Sequence, residues 1–150
     1  MPDRTVEPRE VEVYEQETVL ERPHEAAVER VREAFGEAGF RQVTEFSPSD
    51  RIEEVPGQGS GPYTVLGFGI PDAAEHALEA ADERVGALFP CNVVIWAEEP
   101  GVQRVYSLDT MRLAPELGFA TEDESWGALV AQLEKLMAEA FDGLRTADGE

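Results

Sequence analysis

Residues 63–108 read YTVLGFGIPDAAEHALEAADERVGALFPCNVVIWAEEPGVQRVYSL, and the way this stretch divides decides the fold. Tyr63 to Ile70 has the composition of a strand, with Leu66, Phe68 and Ile70 on one face and Gly67 and Gly69 on the other. Glycines inside a strand let another backbone, or a ligand, come close. Asp72 follows as a helix cap with Glu75 three residues on, the spacing of a capping box. Ala74, Ala77, Leu78 and Ala81 are then the packing face of that helix. Val93, Val94, Ile95 and Trp96 form an unbroken apolar run, as expected of a strand covered on both sides. Pro100-Gly101 is a turn pair, so Val102 to Leu108 returns antiparallel and closes a hairpin.

Working outward, residues 1–8 carry two prolines among charges and are expected to be a loose arm. The alternation around Val11 and Val13 suits a half-buried first strand reaching about Val19. Pro23 suits the start of a helix. Ala27, Val28, Val31, Ala34, Phe35 and Ala38 make its apolar stripe, and Gly39 its left-handed cap. Phe40 to Phe46 reads as a second strand. Residues 47–62 form a long Pro- and Gly-rich connection in which Ser49 or Asp50 can cap one helical turn. Its GQGSG run lacks dinucleotide-fingerprint spacing and precedes a strand, so it reads as a flexible loop.

The final helix carries the plainest signal. Thr121 and Glu124 make a second capping box, and Trp126, Leu129, Val130, Leu133, Leu136, Met137, Ala140, Phe141 and Leu144 keep helical spacing. The order is therefore β-α-β-β-α-β-β-α. It predicts an α+β fold: a largely antiparallel sheet of about five strands with helices packed on it. A chain of 150 residues fits one domain, with a core over about 9–145 and loose termini at 1–8 and 146–150.

Charge excludes several functions. Thirty-two acidic residues face 12 basic ones, a net charge of −20, and Lys135 is the sole lysine. No basic stripe exists to neutralise phosphates, so nucleic-acid binding is not expected. No apolar run nears the roughly 20 residues that cross a bilayer, and no apolar leader follows Met1, so the expected compartment is the cytoplasm. Cys91 has no partner for an internal disulfide, in keeping with a reducing environment. On the first helix Glu25, Glu29, Glu33 and Glu37 recur every four residues, a spacing that sets like charges together. Salt near 1 M shortens the Debye length to about 3 Å and removes most such repulsion. The composition thus predicts adaptation to a salt-rich cytoplasm.

Pro71-Asp72-Ala73-Ala74-Glu75-His76-Ala77-Leu78, followed by Leu88-Phe89-Pro90-Cys91-Asn92-Val93, resembles the core motif of the family catalogued as domain of unknown function 302. The similarity extends more loosely over about Val11 to Phe141, and residues 47–62 depart from it most. The resemblance implies the fold and homodimerisation, and it implies no reaction.

Candidate chemistry gathers around the same motif. Cys91 and Asn92 open the central strand, and His76 lies on the helix before it. A thiolate nucleophile needs a base or a positive dipole nearby, which His76 supplies if the two meet, and Asn92 can donate to an oxyanion. A lone Cys after Pro more often serves as a small buried hydrophobe. Asp72, His76 and Cys91 lack zinc spacing and a fourth ligand, so neither metal nor cofactor is expected. His24 is expected to be solvated, and Asp109 to form a turn. Gly67 and Gly69 beside Pro90, Cys91 and Asn92 mark the place for a small ligand, unless the neighbouring alanines pack onto them. Two functions remain: a non-catalytic dimeric module that binds a small ligand or a protein, and a thiol-dependent enzyme or redox protein using Cys91 with His76.

Overall fold

Five strands pair into one antiparallel sheet: β1 (Glu15–Leu20), β2 (Arg41–Phe46), β3 (Tyr63–Gly69), β4 (Cys91–Glu99) and β5 (Val102–Leu108), in the spatial order β1-β5-β4-β3-β2. The computed structural model describes residues 13–48 and 61–148. The expected arm at 1–8, Val11, and the glycine-rich connection from Ser49 to Ser60 lie outside those residues. Helices α1 (His24–Ala38), α2 (Pro71–Ala80), α3 (Leu113–Glu116) and α4 (Glu124–Asp148) complete the chain, with a 3₁₀ segment at Glu83–Leu88. The element order is the one read from the sequence, with α3 and the 3₁₀ segment added. Helix α4 runs on to Asp148, into the stretch from 146 that was expected to be a loose terminus. Among the described residues no helix is long and apolar enough to cross a membrane.

Register explains how the core forms. Leu66 pairs with Val93, Ile95 with Val105, and Leu20 with Gln103, so Leu20, Leu66, Val93, Ile95 and Val105 point to one face. On that face α1 and α4 lay down Val31, Phe35, Met137 and Phe141. The Phe35 ring stacks on Phe68 at 4.7 Å and meets Phe141 edge-on at 5.8 Å. The other face contributes to neither core cluster. Val94, Trp96, Arg104 and Tyr106 are half-buried there, and Val19 and Tyr63 are exposed. Among the described residues β4 is therefore covered by helices on one side, not both, although Val65 beside Val94 is buried on the other face.

Local signals held unevenly. Gly39 takes the left-handed conformation at φ 109°, and its N–H and that of Phe40 close the end of α1. Gly101, at φ 79°, turns the β4–β5 hairpin. Asp72 does not cap α2: Pro71 is the first helical residue, where its missing N–H costs nothing, and Ile70 precedes it in extended conformation. The buried face of α2 is Ala73 and Ala77, while Leu78 is 53% exposed. Nor does Thr121 cap α4. Asp123 does, accepting the Trp126 N–H at 2.9 Å.

Candidate functional site

α2 crosses the end of the sheet where β3 finishes and β4 begins, and beneath it lies a pocket of about 200 Å³. Small side chains create it. Ala73, Ala74 and Ala77 line it from above, with Phe68, Gly69 and Ile70 at the end of β3 below. Pro90, Cys91 and the Asp109–Met111 segment form another wall, with Leu133 and Met137 of α4 behind them. Val43 reaches it from β2 at a register shift between Gln42 and Thr44, and is 59% exposed. The alanines thus leave a space above the end of β3.

Gly67 behaves differently. A Cβ there would fall 2.1 Å from Thr44 Oγ1 and 2.6 Å from Pro90 Cγ, so its missing side chain is already used by packing. It does not line the pocket. Asn92 pairs with Gly67 across β3 and β4 and is exposed on the sheet face opposite Cys91. His76 is exposed on α2, with Nε2 3.1 Å from Ser125 Oγ. Of the residues expected at a site, the pocket unites Gly69 and Cys91 and leaves out Gly67, Asn92 and His76.

Cys91 is held as a thiol. Burial pushes it up to about 11, and Asp109 adds to this, against a contact of 3.6 Å with Ser107 Oγ. Ser107 donates its own hydrogen to Asn92 O at 2.8 Å, so the Cys91 S–H points its proton at the Ser107 oxygen.

The acid of the pocket wall is Asp109, 5% exposed. Its Oδ1 accepts the Met111 N–H at 2.9 Å, the turn expected of it. Its Oδ2 is sealed from solvent and meets no donor; the neighbour there is the carboxyl of Glu134. Two buried carboxylates in contact cannot both ionise. Burial, then the adjacent Glu134 carboxyl, raise Asp109 to about 7, so below that pH Asp109 carries the proton of the pair. Burial opposes ionisation of Glu134 as well, but Arg112 and then Asp109 outweigh it and hold Glu134 below its ordinary range. Arg112 Nη2 donates to Glu134 Oε1 at 2.8 Å. This triad escaped sequence reading because its members are 3 and 22 residues apart. One signal existed: Glu134 falls within the apolar stripe of α4, four after Val130 and three before Met137.

His24 is also not merely solvated. Its Nδ1 lies 2.8 Å from Gln103 Oε1 and its Nε2 2.8 Å from Thr64 Oγ1. Gln103 Nε2 donates to Arg22 O at 3.2 Å, which orients the amide and makes His24 Nδ1–H the donor to it. The cluster ties the start of α1 to β3 and β5, away from the pocket. Among the described residues no group of three or more His, Cys, Asp or Glu side chains is placed to hold a metal.

A family model described as "Domain of unknown function DUF302" matches residues 16–144. The crystal structure of an uncharacterized conserved DUF302 protein from Bacillus stearothermophilus superposes with a TM-score of 0.71. It is 22% identical, and the alignment covers 88% of this chain and 98% of that one. That likeness is one of fold. No curated protein matches the chain.

Proposed function

The chain belongs to the DUF302 family, which has no assigned reaction, and from that premise we propose that it is a non-catalytic module binding a small ligand beneath α2. The observation that carries the proposal is the pocket of about 200 Å³ left open between the end of β3 and the alanines of α2. Pockets of mainly apolar lining with few polar groups are where small molecules bind. Thiol chemistry is disfavoured on two grounds. Burial keeps Cys91 protonated at neutral pH, and His76 is engaged with Ser125 away from it.

A fragment screen by ligand-observed NMR tests the proposal, with Ala74→Leu as the variant that fills the pocket. Fragments that bind the native protein and are lost from a folded Ala74→Leu variant support it. A screen without binders, or with binders indifferent to Ala74→Leu, rejects it.

The module is proposed to work as a homodimer, the second copy covering the sheet face that α1 and α4 leave open. Trp96, Tyr63 and Val94 place apolar surface there, with Trp96 and Tyr63 stacked at 6.3 Å. Light scattering in molar KCl should return twice the 16.5 kDa chain mass, and the monomer mass would refute the dimer.

A further inference from the structure

Three polar side chains line the pocket among the described residues: Cys91, Asp109 and Thr110. Each is either bonded within the protein or sealed from the pocket. Thr110 Oγ1 donates to Leu88 O at 2.8 Å. The Cys91 thiol is directed to Ser107 Oγ at 3.6 Å. Asp109 spends Oδ1 on the Met111 N–H, and its Oδ2, unpaired beside the Glu134 carboxyl, exposes almost no surface to the pocket. Glu134 in turn has both oxygens held by Arg112. What remains to meet a ligand is the apolar surface of Phe40, Phe68, Phe89, Met111 and Met137 around the three alanines.

We infer that the pocket selects an uncharged, compact apolar molecule about the size of a substituted benzene ring. The inference rests on the ligand-binding proposal above and names the ligand's chemical class. Size comes from volume: an apolar cavity of about 150 Å³ stays dry and takes benzene, and this one measures about 200 Å³. Ring shape follows from its walls, since aromatic edges and methionine sulfurs make favourable contacts with an aromatic ring. Charge is selected against from both sides. An ammonium or a carboxylate entering would shed its water against walls whose one unpaired polar side-chain atom among the described residues, Asp109 Oδ2, is sealed from contact. A carboxylate would in addition face Asp109 and Glu134.

The test compares isosteres. Toluene, benzylammonium and benzoate are titrated at pH 7 into the ¹⁵N-labelled full chain, following the amide signals of Gly69, Ala74 and Cys91. Toluene should shift these signals at least tenfold more tightly than either ion, and Ala74→Leu, checked for folding by thermal melt, should abolish the shift. Binding of either ion at these signals as tightly as toluene would overturn the selectivity while leaving the pocket a ligand site. Silence from all three probes would overturn the pocket itself, and the inference with it.

Discussion

Arg112 holds the buried carboxylate of Glu134 across 22 residues of sequence, with Nη2 and Oε1 2.8 Å apart. The contact joins the segment after β5 to the middle of α4, at the back wall of the pocket. Glu134 is 8% exposed, so its charge depends on that partner. Replacing one member of a buried pair typically costs about 3–5 kcal/mol. The Arg112 side chain is 33% exposed, which moderates the loss. Arg112→Ala should therefore destabilise the fold by about 2–3 kcal/mol, seen as a lower urea midpoint with unchanged slope. A variant as stable as the native protein would show that the pair contributes nothing net.

The shared proton on Asp109 sets a pH dependence. Its folded-state value is raised from 3.8 to about 7, so between those values the folded protein binds more protons than the unfolded chain. Stability through this group is undiminished below about pH 4, falls as pH rises, and is fully lost above pH 7. The slope is at most about 1.4 kcal/mol per pH unit. The charged groups facing Asp109 are Glu134 and Arg112, with the Cys91 thiol nearby. Asp109→Asn keeps an acceptor for Met111 N–H and a donor toward Glu134 but cannot ionise. Urea melts at pH 5 and pH 8 should show a smaller difference for the variant than for the native protein. An equal or larger difference would place the titration elsewhere.

Cys91 should resist alkylation. Its rise from 9.0 to about 11 lowers the thiolate fraction about 100-fold at neutral pH, before any steric shielding. Iodoacetamide should modify the native protein at least that much more slowly than the chain in 8 M urea. Comparable rates would restore the thiol-enzyme alternative.

The two glycines of β3 should respond in opposite ways to alanine. Gly67→Ala drives a methyl group into Thr44 and the rigid ring of Pro90, at a cost of about 1–3 kcal/mol or more for overpacking. Gly69→Ala meets open space, and its stability should change by less than about 1 kcal/mol. Chemical denaturation of both variants decides it, and equal losses would contradict the packing described.

Salt should stabilise the protein. The net charge of −20 repels itself at low ionic strength. The acidic ladder of α1 is less exposed to this than its spacing suggests, because Arg32 bonds Glu29 at 2.8 Å and Arg30 reaches Glu33 at 3.4 Å. Screening weakens those pairs too, so the gain reflects the surplus charge. The melting temperature should rise markedly from 50 mM to 2 M KCl, beyond the rise of a neutral protein of similar size, which corrects for stronger apolar burial. A flat or falling curve would contradict adaptation to salt.

Periodicity is a local property, and what it controls was legible from the sequence alone. The stripes of α1 and α4, the turn at Pro100-Gly101 and the cap at Gly39 each depend on residues within a few positions of one another. So does the element order, and with it the α+β sheet. Helix starts were less legible: α2 begins at Pro71 with no side-chain cap, and α4 is capped by Asp123, two residues past the expected Thr121. Only tertiary structure decided which face of β4 is covered, that Gly67 is filled while Gly69 is open, and that His76 lies apart from Cys91. The strongest case is Asp109. As a residue it is a turn former. It becomes a protonated acid because α4, arriving from later in the chain, buries Glu134 against it, and no pattern along the sequence encodes that meeting.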